Sequence, residues 1–68
     1  MKISARNVFE GQIIDIKKGA TTSHVVIDVK GLHITASITN EAVDELALKV
    51  GQTASAVIKA SEVLVAIP

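Results

Sequence analysis

Residues 32–39 read LHITASIT, and this stretch has the most regular alternation of apolar and polar residues in the chain. A repeat of two residues is typical of a β-strand with one buried face and one solvated face. The face predicted to be buried carries Leu32, Ile34, Ala36 and Ile38. The stretch therefore predicts a half-buried strand.

The apolar spacing becomes helical directly after this strand, in the segment NEAVDELALKVG that begins at residue 40. Thr39 or Asn40 can act as the N-cap, and Glu41 in the first turn suits the helix dipole. These signals predict a short helix from about residue 40 to 47. The apolar residues at helical intervals are Val43, Leu46 and Val50.

Two further strands are predicted upstream. Residues 11–18, GQIIDIKK, place Ile14 and Ile16 on one face. In residues 24–29, HVVIDV, the same alternation places three apolar side chains on one face: Val25, Ile27 and Val29. The intervening GATTS is predicted to be a loop, and the Lys-Gly pair at 30–31 a tight turn.

Two more strands follow the helix, at residues 53–59 (TASAVIK) and 61–67 (SEVLVAI). Three meandering strands, a helix and two strands is the order of an OB-type barrel. We therefore predict an all-β fold, a small OB-like five-stranded barrel with one short helix between strands 3 and 4. Residues 1–68 are long enough for one domain only.

Composition favours a homo-oligomer. The 68 residues are 49% hydrophobic, and the chain has no cysteine for disulfides or a cysteine-based metal site. A domain this small buries too little apolar area to be very stable alone. The last predicted strand is apolar on both faces from Val63 to Ile67. A partner subunit is the simplest cover for such a strand.

Charge and aromatic content argue against nucleic acid as a partner. Seven basic and seven acidic residues cancel, whereas phosphate contacts normally need a basic surplus. Phe9 is the only aromatic side chain, so no stacking platform for bases is available. Without a signal-peptide pattern or a stretch long enough to cross a bilayer, we expect a cytoplasmic protein with no membrane contact.

Catalytic and metal-binding patterns are weak. His24 and His33 lie near no obvious nucleophile, and their spacing matches no metal motif. The carboxylates of Asp44 and Glu45 fit a solvated helix face. The chain also lacks a glycine-rich phosphate loop of the Walker type. We therefore expect neither an enzyme nor a metal centre.

Two short segments could instead bind a small anion: SARN at residues 4–7 and KAS at 59–61. They supply a planar guanidinium from Arg6, a point charge from Lys59 and serine hydroxyls. Loop N–H groups could point at the same anion. From these residues alone, a set of solvated surface charges is the favoured interpretation, because motif matches this short are weak.

The motifs taken together resemble those of one family. These are SARN followed by Gly11, the loop KKGATTSHV, SIT before the helix, LKVGQ and VIKASEV, in this order over nearly the whole chain. The sequence resembles the molbindins, also called Mop or molybdenum-pterin-binding proteins. The same domain recurs in molybdate-responsive regulators and in molybdate transporter ATPase subunits.

The resemblance implies an OB-like fold, a hexamer built as a trimer of dimers, and binding of molybdate or tungstate at subunit interfaces. It implies these oxyanions as ligands and no organic cofactor, pterin included. One class of site would use Ser4, Ala5, Arg6, Lys59, Ala60 and Ser61. A second class, lined largely by backbone, would involve Gly19, Ala20, Thr21, Thr22, Ser23, Ser37 and Thr39. His24 stands where the resemblance leads us to expect an acidic residue.

The implied role is intracellular storage or buffering of molybdate for molybdenum homeostasis. Two alternatives remain at this point. One is a structural or interaction module with vestigial anion sites, and the other is a sensor that binds a partner according to its anion occupancy.

Overall fold

Residues 2–68 fold into one antiparallel sheet of four strands and a single short α-helix. The computed structural model describes residues 2–68. The strands are β1 (Asn7–Lys18), β2 (Thr22–Val29), β3 (Leu32–Thr39) and β4 (Thr53–Ile58), in the spatial order β3-β2-β1-β4. Helix α1 (Asn40–Glu45) connects β3 to β4, and a 3-10 turn (Ala60–Glu62) follows β4. The predicted β-rich architecture and the place of the helix are confirmed.

The inward face of the sheet carries a small aliphatic core. Its buried members are Ile13, Val25, Ile27, Val43 and Ala56. Half-buried residues pack against them, among them Ile34 and Ile38 of β3 and Leu48 after the helix. The alternation predicted for β2 and most of β3 is confirmed. Leu32 is the exception because it lies at the exposed start of β3, with 63% of its surface accessible.

A β-bulge changes which isoleucines of β1 face the core. Ile13 pairs with Ile27, but the next pair joins Asp15 to Val26, so Ile14 is the extra residue. The bulge resets the alternation. Ile13 is consequently 1% exposed and Ile14 is 41% exposed. The prediction that Ile14 and Ile16 share a face is therefore wrong, and Ile13 takes the inner position.

Helix α1 is shorter than predicted because a left-handed residue follows it. Leu46 is the C-cap, and Ala47 has a φ of 50°. Only Val43 is buried within the helix, while Leu46 is 62% exposed. After the change in direction, Leu48 contributes to the core instead. Leu46 and Val50, which follow the helical spacing in the sequence, are both exposed.

The last predicted strand, residues 61–67, is absent from the sheet of the single chain. Residues 60–62 form the 3-10 turn, and residues 63–68 have no regular secondary structure. We call residues 63–68 the C-terminal tail. Leu64, Val65 and Ile67 of the tail are 92%, 89% and 87% exposed. The prediction of this strand is wrong because the tail pairs with neither edge strand of the chain's own sheet.

Gly11 of β1 lies where the backbone of β2 approaches most closely. A Cβ atom at this position would be 2.2 Å from the Asp28 carbonyl oxygen and 3.0 Å from Val29 Cγ2. Both neighbours belong to β2, so they cannot move without disturbing the sheet.

We expect Gly11→Ala to lower the free energy of unfolding by about 2 kcal/mol, the usual scale of overpacking. Urea denaturation followed by circular dichroism measures the change. Gly31→Ala is the control because open space surrounds Gly31, although its φ of 90° adds some backbone strain. A loss well below about 1 kcal/mol for Gly11→Ala would contradict the steric conflict, because overpacking costs about 1–3 kcal/mol.

Candidate functional site

The pairing of β1 with β4 brings the two predicted anion-binding segments together. Asn7 is paired with Ile58, and its Nδ2 donates a hydrogen bond to the Ile58 carbonyl at 3.2 Å. Arg6 precedes this pair and Lys59 follows it. Since the strands are antiparallel, residues 4–6 and 59–61 emerge at the same end of the sheet. We call these two segments the SARN–KAS site.

The SARN–KAS site is rich in hydrogen-bond donors that have no partner in the described part of the chain. Within residues 2–68, no hydrogen bond uses the backbone N–H of Ala5, Arg6, Ala60 or Ser61. The hydroxyls of Ser4 and Ser61 are additional donors. The two groups that carry a full positive charge are Arg6 and Lys59.

Carboxylates do not neutralise these two cations. The ion pairs found within residues 2–68 are Lys18–Asp44 and His33–Asp28, both away from the SARN–KAS site. Glu62 lies in the adjacent turn, where its N–H donates to the Lys59 carbonyl at 2.9 Å. The site thus offers net positive charge and many N–H donors, which is the chemistry that binds an oxyanion.

The SARN–KAS site is open on one side. The side chains of Ser4, Arg6, Lys59 and Ser61 are exposed, and only Ala5 is half-buried. An anion bound there would contact this chain on one side and solvent on the other. A second wall is therefore needed to enclose it.

The second predicted site also assembles in space. Thr22 is paired with Thr39, and His24 with Ser37, so the β1–β2 loop lies beside the end of β3. The SARN–KAS site lies at the start of β1 and this loop follows its end. The two predicted sites are therefore at opposite ends of one strand.

The side chain of Asn40 holds the β1–β2 loop, a role that the sequence interpretation did not identify. Its Nδ2 donates to the carbonyls of Gly19 and Ala20 at 3.0 and 3.4 Å, and its backbone N–H donates to Thr21. Its Oδ1 accepts a hydrogen bond from the Ser23 hydroxyl, which is fully buried. The available signal was the Thr39–Asn40 pair, because only one residue can be the N-cap. Thr39 has that role and accepts from the Ala42 N–H at 3.1 Å.

In the second predicted site, some groups hold the structure together and others remain available for a ligand. The Ser23 hydroxyl and the Thr39 oxygen are engaged in holding the loop and the helix. The N–H groups of Ala20 and Thr21, in contrast, take part in no hydrogen bond within residues 2–68. The loop therefore presents backbone donors rather than the side chain of Ser23.

We expect Asn40→Ala to lower the free energy of unfolding by about 2 kcal/mol, because it leaves the buried Ser23 hydroxyl without a partner. Thermal denaturation of the variant measures the loss. The double variant Asn40→Ala/Ser23→Ala should recover part of it, since the orphaned hydroxyl is then absent. If the two residues act independently, the stability losses of the single variants Asn40→Ala and Ser23→Ala add up in the double variant. Additive losses would therefore contradict this coupling.

Neither a metal cluster nor a membrane span is found in the described residues. Between residues 2 and 68, no group of three or more histidine and carboxylate side chains could hold a metal ion. Over the same range, no helix has the length and apolarity needed to cross a bilayer.

Comparison with known proteins identifies the family. Residues 3–65 match the model of the TOBE domain. The chain is 41% identical over 66 residues to molybdenum-pterin-binding protein 1 of Clostridium pasteurianum, covering 96% of this chain and 97% of that protein. It is 52% identical over 66 residues to the molybdenum transport protein ModE of Herbaspirillum seropedicae. This match covers 96% of the chain but spans only 24% of the ModE protein.

Solved structures agree with the sequence relatives. The cytoplasmic molybdate-binding protein ModG, in a form with molybdate bound, superposes with a TM-score of 0.95 at 45% identity. The match covers 100% of this chain and 49% of ModG. The OB-like fold predicted from the sequence is thereby confirmed. The chain belongs to the TOBE domain family and, within it, to the molybdenum-pterin-binding proteins, or molbindins.

Proposed function

We propose that residues 1–68 form a single molybdate-binding domain whose first anion site is the SARN–KAS site. One observation carries this proposal: the Asn7–Ile58 pair places Arg6 and Lys59 at the same end of the sheet, beside backbone N–H groups without partners. The relatives support it, because ModG is a molybdate-binding protein with molybdate bound. Ser4, Ala5, Ala60 and Ser61 supply the remaining donors of this site.

The chemistry of the SARN–KAS site favours molybdate and tungstate over hydrogen phosphate. Its candidate groups are donors, and a fully ionised tetrahedral dianion needs donors only. Hydrogen phosphate carries a proton that requires an acceptor. Sulfate is also a bare dianion but is smaller, so a cavity shaped for molybdate leaves some donors unpaired around it. Each unpaired donor costs about 1–3 kcal/mol.

A second copy of the chain closes both the open site and the open sheet. The inner face borders an apolar groove of about 1210 Å³, lined by residues of all four strands, by the segment after helix α1 and by Lys59 and Glu62. β3 and β4 are edge strands, and the tail that follows β4 is apolar and unpaired. Unpaired edges and an unpaired extended segment are complementary in backbone hydrogen bonding. The proposed assembly is a homo-oligomer, specifically a hexamer arranged as a trimer of dimers.

The proposed cellular role rests on the binding of an oxyanion, with no catalytic step. Molybdenum-pterin-binding protein 1 and ModG are binding proteins by name, and ModG is described as cytoplasmic. The role we propose is storage or buffering of molybdate and tungstate in the cytoplasm. It involves no organic cofactor, no nucleic acid and no membrane. The β1–β2 loop with Ser37 and Thr39 forms the proposed second oxyanion site.

Equilibrium dialysis against molybdate, tungstate and sulfate tests the function. We expect saturable uptake of molybdate and tungstate and much weaker uptake of sulfate. Static light scattering on the same sample gives the mass of the assembly, so that bound anions can be counted per subunit. Absence of saturable uptake would overturn the proposal in favour of an interaction module with vestigial sites.

A further inference from the structure

The outer side of the β1–β2 hairpin contains a small cationic pocket. Its volume is about 330 Å³, and its lining residues are Lys17, Lys18, Gly19, Thr22 and His24. Lys17 lies directly opposite His24, and His24 lies opposite Ser37 on the next strand. Residues directly opposite each other in an antiparallel pair have Cβ atoms about 5 Å apart on the same face. Two nitrogen-bearing side chains and a hydroxyl therefore form one row across three strands.

Within residues 2–68, no carboxylate forms an ion pair with Lys17 or His24 in this row. Lys18 is engaged, since its Nζ lies 2.8 Å from Asp44 Oδ1 of helix α1. Asp15 lies on the same face of β1 as Lys17, two residues before it, opposite Val26. The described ion pairs involve neither Lys17 nor His24. The residues of β3 beside His24 are the uncharged Ser37 and Thr35.

The other histidine has a different environment. His33 Nε2 lies 3.3 Å from Asp28 Oδ1, in a separate row of the same sheet face. A carboxylate therefore already accompanies His33, whereas Lys17 faces His24. His33 is an internal control for any property assigned to His24.

The geometry points to a pH-dependent oxyanion site, in which Lys17 and His24 bind a small tetrahedral dianion in the hairpin pocket. This inference rests on the proposed function for its ligand class and adds a regulation of the loop site. Histidine is the side chain whose charge changes near neutral pH. When protonated, His24 places a second positive charge opposite Lys17, and like charges in that position repel. A bound dianion offsets this repulsion.

The sign of the pH dependence follows from linkage. Because the anion binds the protonated form of His24 more tightly, lowering the pH strengthens anion binding at the hairpin. The dependence is assigned to the hairpin, because the SARN–KAS site contains no histidine and draws its charge from Arg6 and Lys59.

Sulfate is a suitable probe because it remains a dianion throughout this range and does not itself titrate. Amide resonances of Thr22 and His24 in the full chain report binding at the hairpin by NMR. We expect the affinity measured from these resonances to be at least about threefold higher near pH 6 than near pH 8. Lys17→Gln should weaken binding at both pH values.

Matched histidine variants separate the effect of His24 from general protonation. His24→Gln should remove the pH dependence, and His33→Gln should preserve it. The inference is overturned if the hairpin resonances do not respond to sulfate, or if His24→Gln keeps the same ratio of affinities. Saturable molybdate uptake without any pH-dependent response at the hairpin would reject this inference and leave the proposed function standing. Loss of molybdate uptake as well would reject both.

Discussion

Replacing Arg6 with alanine is expected to weaken molybdate binding by between about tenfold and a hundredfold while the oligomer stays assembled. Hydrogen bonds to charged groups contribute about 1.5–3 kcal/mol, and about 1.4 kcal/mol corresponds to a factor of ten in affinity. Arg6 brings a full charge and a planar set of donors to the SARN–KAS site. Its side chain is exposed in the single chain, so its removal leaves the core intact.

Isothermal titration calorimetry with molybdate measures this loss, and light scattering checks the mass of the assembly. Lys49→Ala is the matched control, because it also removes one exposed positive charge but lies in the segment between α1 and β4. Arg6→Lys should bind with intermediate affinity, since it keeps the charge and loses the planar fork. Wild-type affinity in Arg6→Ala would remove Arg6 from the site.

Placing a charge in the C-terminal tail is expected to disrupt the assembly. Leu64 is 92% exposed in the single chain, but in the proposed oligomer it is buried against a second copy. An ionised carboxylate without a partner is strongly disfavoured in such an apolar contact. Leu64→Glu should therefore yield dissociated chains, with molybdate binding lost because the second wall of the SARN–KAS site is gone.

Size-exclusion chromatography with light scattering gives the mass of Leu64→Glu directly. Val50→Glu is the control, because Val50 is also apolar and 62% exposed but lies in the turn before β4, away from the tail. This control should retain the wild-type mass and affinity. If Leu64→Glu assembled and bound molybdate like the wild type, the tail would have no part in the interface.

The small core of the single chain also supports burial of the tail in an oligomer. Among residues 2–68, five hydrophobic residues are buried, whereas twelve large hydrophobic residues are exposed. Scattered apolar side chains are common on protein surfaces, but the tail places several of them in succession. A fold with so small a core gains stability by covering such segments.

Local sequence patterns were sufficient to predict buried faces and turns where paired strands are consecutive in the chain. Val25 and Ile27 face the core as their alternation predicts. The turn between β2 and β3 forms at Lys30 and Gly31, which have φ angles of 51° and 90°. These features depend on interactions between residues close in sequence, and residue type therefore determines them.

Sequence alone determined the order of the first three strands, the helix and the fourth strand, the alternation of β2 and β3, and the family motifs that nominated Arg6 and Lys59. Only the tertiary structure decided that the bulge at Ile14 turns Ile13 inward and that Asn40 holds the β1–β2 loop. It also decided that the tail remains unpaired in one chain. The difference lies in how far apart in sequence the interacting residues are. Alternation and turns depend on adjacent residues, whereas register, loop anchoring and strand pairing depend on contacts between residues distant in sequence.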